Sequence, residues 1–329
     1  METIKFTDIG VKIGHEQDLE AATGCTVILC EEEAVAGVDV RGGAPGTRET
    51  DLLNPSNLVE KVHAVLLTGG SAFGLDAASG VMQYLEERSI GFDTGVAKVP
   101  IVVGAVLYDL QIGKHDVRPD KKMGYKACLN AESSDCSEGN VGAGTGATVG
   151  KILGLDYAMK GGLGTYAVQL GDLKIGAVMA VNCLGDVIDP FSGNKIIAGA
   201  LNEDKLSFAN SAKRLMELCS GENLSFSQAG NTVIGAVVTN AVLNKVQAKK
   251  IASVAHDGLA RTIRPSHTMV DGDTIFALAT CKVKVDLNLL GYLAAYVVEK
   301  AVIRAVKSAD TLHGCIGFGD LNKSSNIEG

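Results

Sequence analysis

The chain has no tryptophan, and only 5% of its 329 residues are aromatic. Six prolines stand against forty glycines, so tight turns and close backbone approach, rather than stiffened or disordered segments, carry the irregular structure. A basic excess is also missing. The net charge of −8 and a pI near 5.3 argue against general affinity for nucleic acid or an anionic membrane, since both need a basic patch. The expected substrate is a small molecule or a peptide, with neither nucleic acid nor membrane as partner. Long hydrophobic runs are absent too: the longest, Leu287 to Val298, contains Asn288, falls short of the roughly 18 to 20 residues that span a bilayer, and reads as a buried helix. The cysteines at 25, 30, 128, 136, 183, 219, 281 and 315 show no paired C-x-x-C spacing. They read as reduced core residues of a cytoplasmic protein, with no metal and no cofactor expected. Met1-Glu2-Thr3-Ile4-Lys5 lacks the charged and apolar regions of a secretion signal.

Two nucleotide signatures are missing as well. In Gly139-Asn140-Val141-Gly142-Ala143-Gly144-Thr145-Gly146-Ala147-Thr148-Val149-Gly150-Lys151, a P-loop would need glycine where Thr145 stands and Ser or Thr where Ile152 stands. The dinucleotide pattern fails at Ala147. These glycines therefore serve close packing or an oxyanion-lining backbone. Gly69-Gly70-Ser71-Ala72-Phe73 misses the nucleophile elbow G-x-S-x-G because Phe73 replaces the last glycine; Ser71 reads as the cap of a helix running to about Arg88.

What is present is a 46% hydrophobic content, ample for one large α/β domain or two smaller ones. Strand patterns cover Cys25 to Cys30, Ala34 to Val40, His63 to Thr68 and Pro100 to Leu110, and a hairpin turns at Gly171-Asp172 between Leu163 and Val187. Helical patterns cover Lys121 to Ala131, Phe208 to Cys219, Lys245 to Arg261 and a closing helix through Leu290, Leu293, Val297 and Ala301, after which Leu321 onward reads as a frayed tail. The loop Arg41 to Glu49 either lines a pocket or makes a tight connection.

The organising stretch is Gly230-Asn231-Thr232-Val233-Ile234-Gly235-Ala236-Val237-Val238. Thr232 opens a β-branched run that predicts a buried strand. On these residues alone it is either an ordinary core strand or a nucleophile: cutting Asn231-Thr232 would give Thr232 an α-amine beside its own hydroxyl, base and nucleophile in one residue. The polar segment Ser220 to Gln228 is expected to be exposed around such a cut. In Asp271-Gly272-Asp273, residues two apart share a face of an extended chain, so the carboxylates either converge on one point or lie in a solvated turn.

Ile9 to His15, Arg41 to Glu49, Leu67 to Leu75, Gly139 to Lys151, Asn231 to Ala241 and His267 to Thr280, taken in this order, resemble the successive motifs of the P1-family peptidases. This is the S58 group of L-aminopeptidase/D-esterases, β-peptidyl aminopeptidases and nylon-oligomer endohydrolases. The resemblance covers nearly the whole chain. It implies a four-layer αββα sandwich of N-terminal-nucleophile-hydrolase type, made as a precursor that cleaves itself at Asn231-Thr232 into residues 1–231 and 232–329 and assembles as a homo-oligomer, a tetramer of cleaved protomers. By the same carry-over Lys160, Asn182 and Tyr125 are active-site residues with Thr232, Asp271 and Asp273. Threonine in place of the serine of many members, together with Asp-Gly-Asp, looks most like the nylon-oligomer (6-aminohexanoate) branch. Aminopeptidase action on peptides or amino-acid amides and esters, and acyl transfer to an amine, are the alternatives. An α-amine with a reference pKa of about 7.7 to 8.0 suits the base role, and an Asn182 amide N–H on the oxyanion would contribute roughly 3 kcal/mol.

Overall fold

The computed structural model describes residues 1–133, 136–217 and 230–325. The segment Ser220 to Gln228 therefore lies outside the described residues, as does Cys219. In chain order the strands are β1 (Glu2–Thr3), β2 (Lys12–Asp18), β3 (Thr23–Val40), β4 (Thr47–Arg48), β5 (Lys61–Thr68), β6 (Phe92–Asp93), β7 (Lys98–Val99), β8 (Val102–Val106), β9 (Thr148–Val149), β10 (Met159–Lys160), β11 (Gly162–Leu170), β12 (Leu173–Asn182), β13 (Asp186–Asp189), β14 (Lys195–Ala198), β15 (Thr232–Ala241), β16 (Ile263–Arg264) and β17 (Thr274–Val283). The helices are α1 (Ala77–Glu86), α2 (Lys121–Asn130), α3 (Ser211–Glu217), α4 (Lys245–Thr262), α5 (Leu287–Lys307) and α6 (Phe318–Ser325).

Ten strands join through hydrogen bonds in the order β1-β11-β12-β15-β17-β3-β5-β8-β4, with β2 also on β3. The sequence shows Cys25 to Cys30 and Ala34 to Val40 as two strands; the structure runs them together as β3. Its register on β5 shifts between Leu29 and Ala34. The first half pairs with β2 and β5, while the second half keeps β5 only at Ala34 and Val35 and pairs with β17 through Val40. One bent strand thus belongs to both sheet layers.

Alternation along the strands then builds three cores. Val233 and Val237 of β15, Ile275 and Ala277 of β17, and Met179 and Val181 of β12 face α4 and α5. Their neighbours Ile234, Ala236, Phe276, Leu278, Val178 and Ala180 face inward, against Ile28, Val65, Leu67 and Val103 of the other sheet layer. Val27, Leu29, Ala64, Leu66 and Val102 turn outward under α1 and α2. This period of two, with both faces apolar, is what a strand buried on both sides requires. The result is the four-layer αββα arrangement that the motifs imply.

Some expectations are corrected. Ser71 caps no helix: a 3-10 turn covers Ser71–Asp76 before α1, Gly70 precedes it in the left-handed region, and no side chain caps it. The strand expected from Pro100 shortens to β8, the helix expected from Phe208 begins at Ser211, and Leu321 lies within α6 rather than in a frayed tail. Leu287 to Val298 forms the start of α5, with Leu290, Leu293, Val297 and Val298 buried and Leu289 and Tyr292 exposed. Among the described residues no helix is long and apolar enough to cross a membrane.

Candidate active site

Thr232 is the first residue of β15 and is 5% exposed. Its strand has β12 on one side and β17 on the other, and Asn182, the last residue of β12, is its register partner. Thr232 Oγ1 donates to the carbonyl of Asn231, the residue before it. That carbonyl also accepts the Gly272 N–H at 3.0 Å, so a backbone donor already polarises the Asn231-Thr232 peptide.

The chain one residue further back is gripped by two side chains. Asn182 Nδ2 donates to the Gly230 carbonyl at 3.0 Å and to the Tyr108 carbonyl at 3.0 Å. Lys151 Nζ donates to the same Gly230 carbonyl, to Asn182 O at 3.0 Å and to Asn182 Oδ1 at 2.9 Å. The Thr148 N–H completes the fix on Asn182 Oδ1 at 2.9 Å. Burial pulls the Lys151 ammonium down to about 8, the direction expected for a cation held out of water.

The Asp271-Gly272-Asp273 segment lies against the other side of the same peptide, with Asn231 bridged to Asp271. The carboxylates do not share one target. Asp271 Oδ2 accepts Thr268 N–H at 2.8 Å and Thr268 Oγ1 at 2.6 Å, closing its own turn. Asp273 Oδ1 accepts the Val233 N–H at 2.7 Å, holding the residue directly after Thr232, and its Oδ2 accepts from His267. Both are buried, at 1% and 2% exposure, so neither is the solvated turn that sequence left open. Burial, and then the charge of Asp273, push Asp271 upward.

A cavity of about 330 Å³ opens on Thr232. Ala44, Pro45 and Gly46 line it, so the glycine-rich loop Arg41 to Glu49 is pocket wall. Ser71, Tyr108 and Val270 complete much of the remainder. Ser71 thus faces the same cavity as Thr232, although it lies in the left-handed region, at φ 53°.

Two expected members sit elsewhere. Lys160, fully buried, turns Nζ onto the carbonyls of Gly144 at 3.0 Å, Ala147 at 2.8 Å and Gly161 at 2.9 Å. It ties down the glycine loop, whose packing is so close that a Cβ at Gly144 would come within 2.1 Å of Leu163 N. Tyr125 projects from α2 in the outer layer, donates to Glu87 at 2.7 Å and is not among the residues lining the cavity. The grip on Gly230 falls instead to Lys151, and the tyrosine beside Thr232 is Tyr108. Lys151 was visible as the end of a failed phosphate motif; Tyr108, a residue past a strand end, and His267, six positions before Asp273, carried no spacing signal.

Comparison with known proteins agrees with this fold. The chain is 44% identical to an uncharacterized aminopeptidase of Mycobacterium tuberculosis, over 96% of this chain and 93% of that one. It is 33% identical to a 6-aminohexanoate-oligomer endohydrolase of Kocuria sp., over 93% and 86%. Among solved structures, the L-aminopeptidase D-Ala-esterase/amidase of Ochrobactrum anthropi, described as a variant of the Ntn hydrolase fold, superposes with a TM-score of 0.69 at 20% identity, covering 99% of this chain and 95% of that one. A Burkholderia sp. beta-aminopeptidase superposes with a TM-score of 0.67 at 20% identity, covering 97% and 92%. The family signature of peptidase family S58 matches residues 5–318, and the chain belongs to that family of amide-bond hydrolases.

Proposed function

We propose that the protein is an N-terminal-nucleophile amidohydrolase that activates itself by cutting Asn231-Thr232 and then hydrolyses amides through an acyl-enzyme on Thr232. The observation that carries this reading is the Asn231 carbonyl, which receives the Thr232 hydroxyl on one side and the Gly272 N–H at 3.0 Å on the other. In self-cleavage Thr232 Oγ attacks the Asn231 carbonyl carbon, and the developing oxyanion keeps the Gly272 donor. The C–N bond breaks, the Thr232 nitrogen takes a proton, and water hydrolyses the resulting ester to a carboxylate on Asn231 and a free amine on Thr232. In turnover that amine accepts the hydroxyl proton as Oγ attacks the substrate carbonyl, then passes it to the leaving amine. Asn182 and Lys151 hold the approach to this carbonyl site, and Asp273 holds the strand behind the nucleophile.

The cavity and the relatives support a substrate class. Pro45, Val106, Leu107 and Val270 give it largely apolar walls, which suit the methylene chain of a 6-aminohexanoate oligomer. The aminopeptidase-named relatives support a second reading, release of an N-terminal residue from peptides, amino-acid amides or esters. A panel of capped 6-aminohexanoate oligomers, amino-acid amides and β-peptides separates the two. Turnover of a capped oligomer supports endohydrolysis, and activity confined to substrates with a free amine contradicts it. Release of free acid in buffer without an added amine excludes obligate acyl transfer.

A further inference from the structure

Behind Asp273 lies a pair of histidines that the chemistry above does not use. His267 turns its own N–H, at 3.2 Å, and its ring Nδ1, at 2.7 Å, onto the same oxygen, Asp273 Oδ2. It does so from the left-handed region, at φ 57°, a conformation uncommon for a side-chain-bearing residue and worth explaining where it occurs. A carboxylate only accepts, so Nδ1 carries the proton. His256 of α4 is fully buried and reaches the Asp39 carbonyl through Nε2 at 3.0 Å. A carbonyl also only accepts, so the proton of His256 is on Nε2 and its Nδ1 is a bare lone pair. The rings meet edge to face with centroids 4.9 Å apart, and His267 Nε2 and His256 Nδ1 are buried without a hydrogen-bond partner.

Buried polar atoms left unpaired are costly, and here two of them flank a residue in a strained backbone. We propose that His267 is a positioning residue for Asp273, fixed by the ring of His256, and that it sets the carboxylate orientation from which Asp273 holds Val233 and hence Thr232. His267 supplies the donor, and His256 keeps its ring from swinging away and keeps water out. With Oδ2 taken from below, Oδ1 is aimed at the Val233 N–H at 2.7 Å. The inference rests on the reading of Thr232 as nucleophile.

The test compares two substitutions of similar chemistry. His267→Asn keeps an N–H donor at the Nδ1 position, whereas His267→Gln carries it out to the Nε2 position. We expect His267→Asn to retain kcat within about threefold of the parent, and His267→Gln to lose roughly tenfold or more with KM little changed, as a small misplacement at a reacting centre does. A His267→Asn enzyme no faster than His267→Gln overturns the proposal. A second measurement needs no substitution at position 267: nitrogen-15 spectra of the histidines should show His267 protonated at Nδ1, and a bare Nδ1 overturns the proposal. Thr232→Ala, run alongside, separates the two claims. If Thr232→Ala is cut or turns over substrate, the nucleophile reading has failed whatever His267 does.

Discussion

Two buried lysines show how one residue type takes two jobs here. Lys151 grips the Gly230 carbonyl beside Asn182, and Lys160 grips three carbonyls of the glycine loop. Lys151→Met should therefore slow self-cleavage in a gel time course while the protein stays folded. Lys160→Met should leave buried carbonyls without a donor and lower stability by roughly 1 to 3 kcal/mol. The pH dependence gives a sharper sign. Burial lowers Lys160 from 10.5 to about 7, so from about pH 7 to 10.5 the unfolded chain binds more protons at this position than the native one. Stability through this group rises with pH across that window and is lost as pH falls toward 7. Urea midpoints of Lys160→Met should show a flatter rise between about pH 7 and pH 9.5; an unchanged slope contradicts the assignment. Sequence alone pointed to Lys160, and not to Lys151 which lies beside Asn182 and Gly230, because motif order does not say where a side chain at a strand end points. Both lysines stand next to a glycine, Gly150 and Gly161, and only the folded loop separates them.

At the scale of elements, the Asp271-Gly272-Asp273 loop must approach Thr232 with backbone alone. A Cβ at Gly272 would stand 2.8 Å from Thr232 Oγ1 and 2.7 Å from the Ala44 carbonyl. Gly272→Ala should thus displace either the hydroxyl or the Gly272 N–H from the scissile carbonyl and block self-cleavage, while β17, begun one residue after Asp273, keeps its pairing. Intact mass and circular dichroism read both halves of that expectation. Full cleavage in this variant would mean that the N–H contact is incidental. Much of the element pattern was legible in sequence: β5, α2, α4, the β11-β12 hairpin and Thr232 at the head of β15 follow from periodicity and turn residues. The bent β3 was not, because a strand that changes sheet interrupts its apolar run at Glu31-Glu32-Glu33 as a turn would. Nor was the turn at Ser71, where a left-handed backbone replaces the expected cap.

For the whole molecule, sheet order decides what self-cleavage can do. The proposed small fragment contributes β15 and β17, which lie side by side between β12 and β3 of the large fragment. Separating the fragments would expose a strand edge on each side and the apolar faces of three cores. The cut chains should therefore stay together: native mass spectrometry should show both in one particle, and a free small fragment in buffer contradicts this topology. The proposed assembly into a tetramer of cleaved protomers is read from the same spectrum.

On the proposed mechanism Thr232 becomes an N-terminal residue. The direct measurement is a denaturing gel of purified, active protein with N-terminal sequencing of the smaller band, next to Thr232→Ala. From a 34.1 kDa chain, length fractions give fragments of roughly 24 and roughly 10 kDa. The smaller should begin Thr-Val-Ile-Gly, and Thr232→Ala should remain one inactive chain. A parent that turns over amides as a single uncut chain would contradict it.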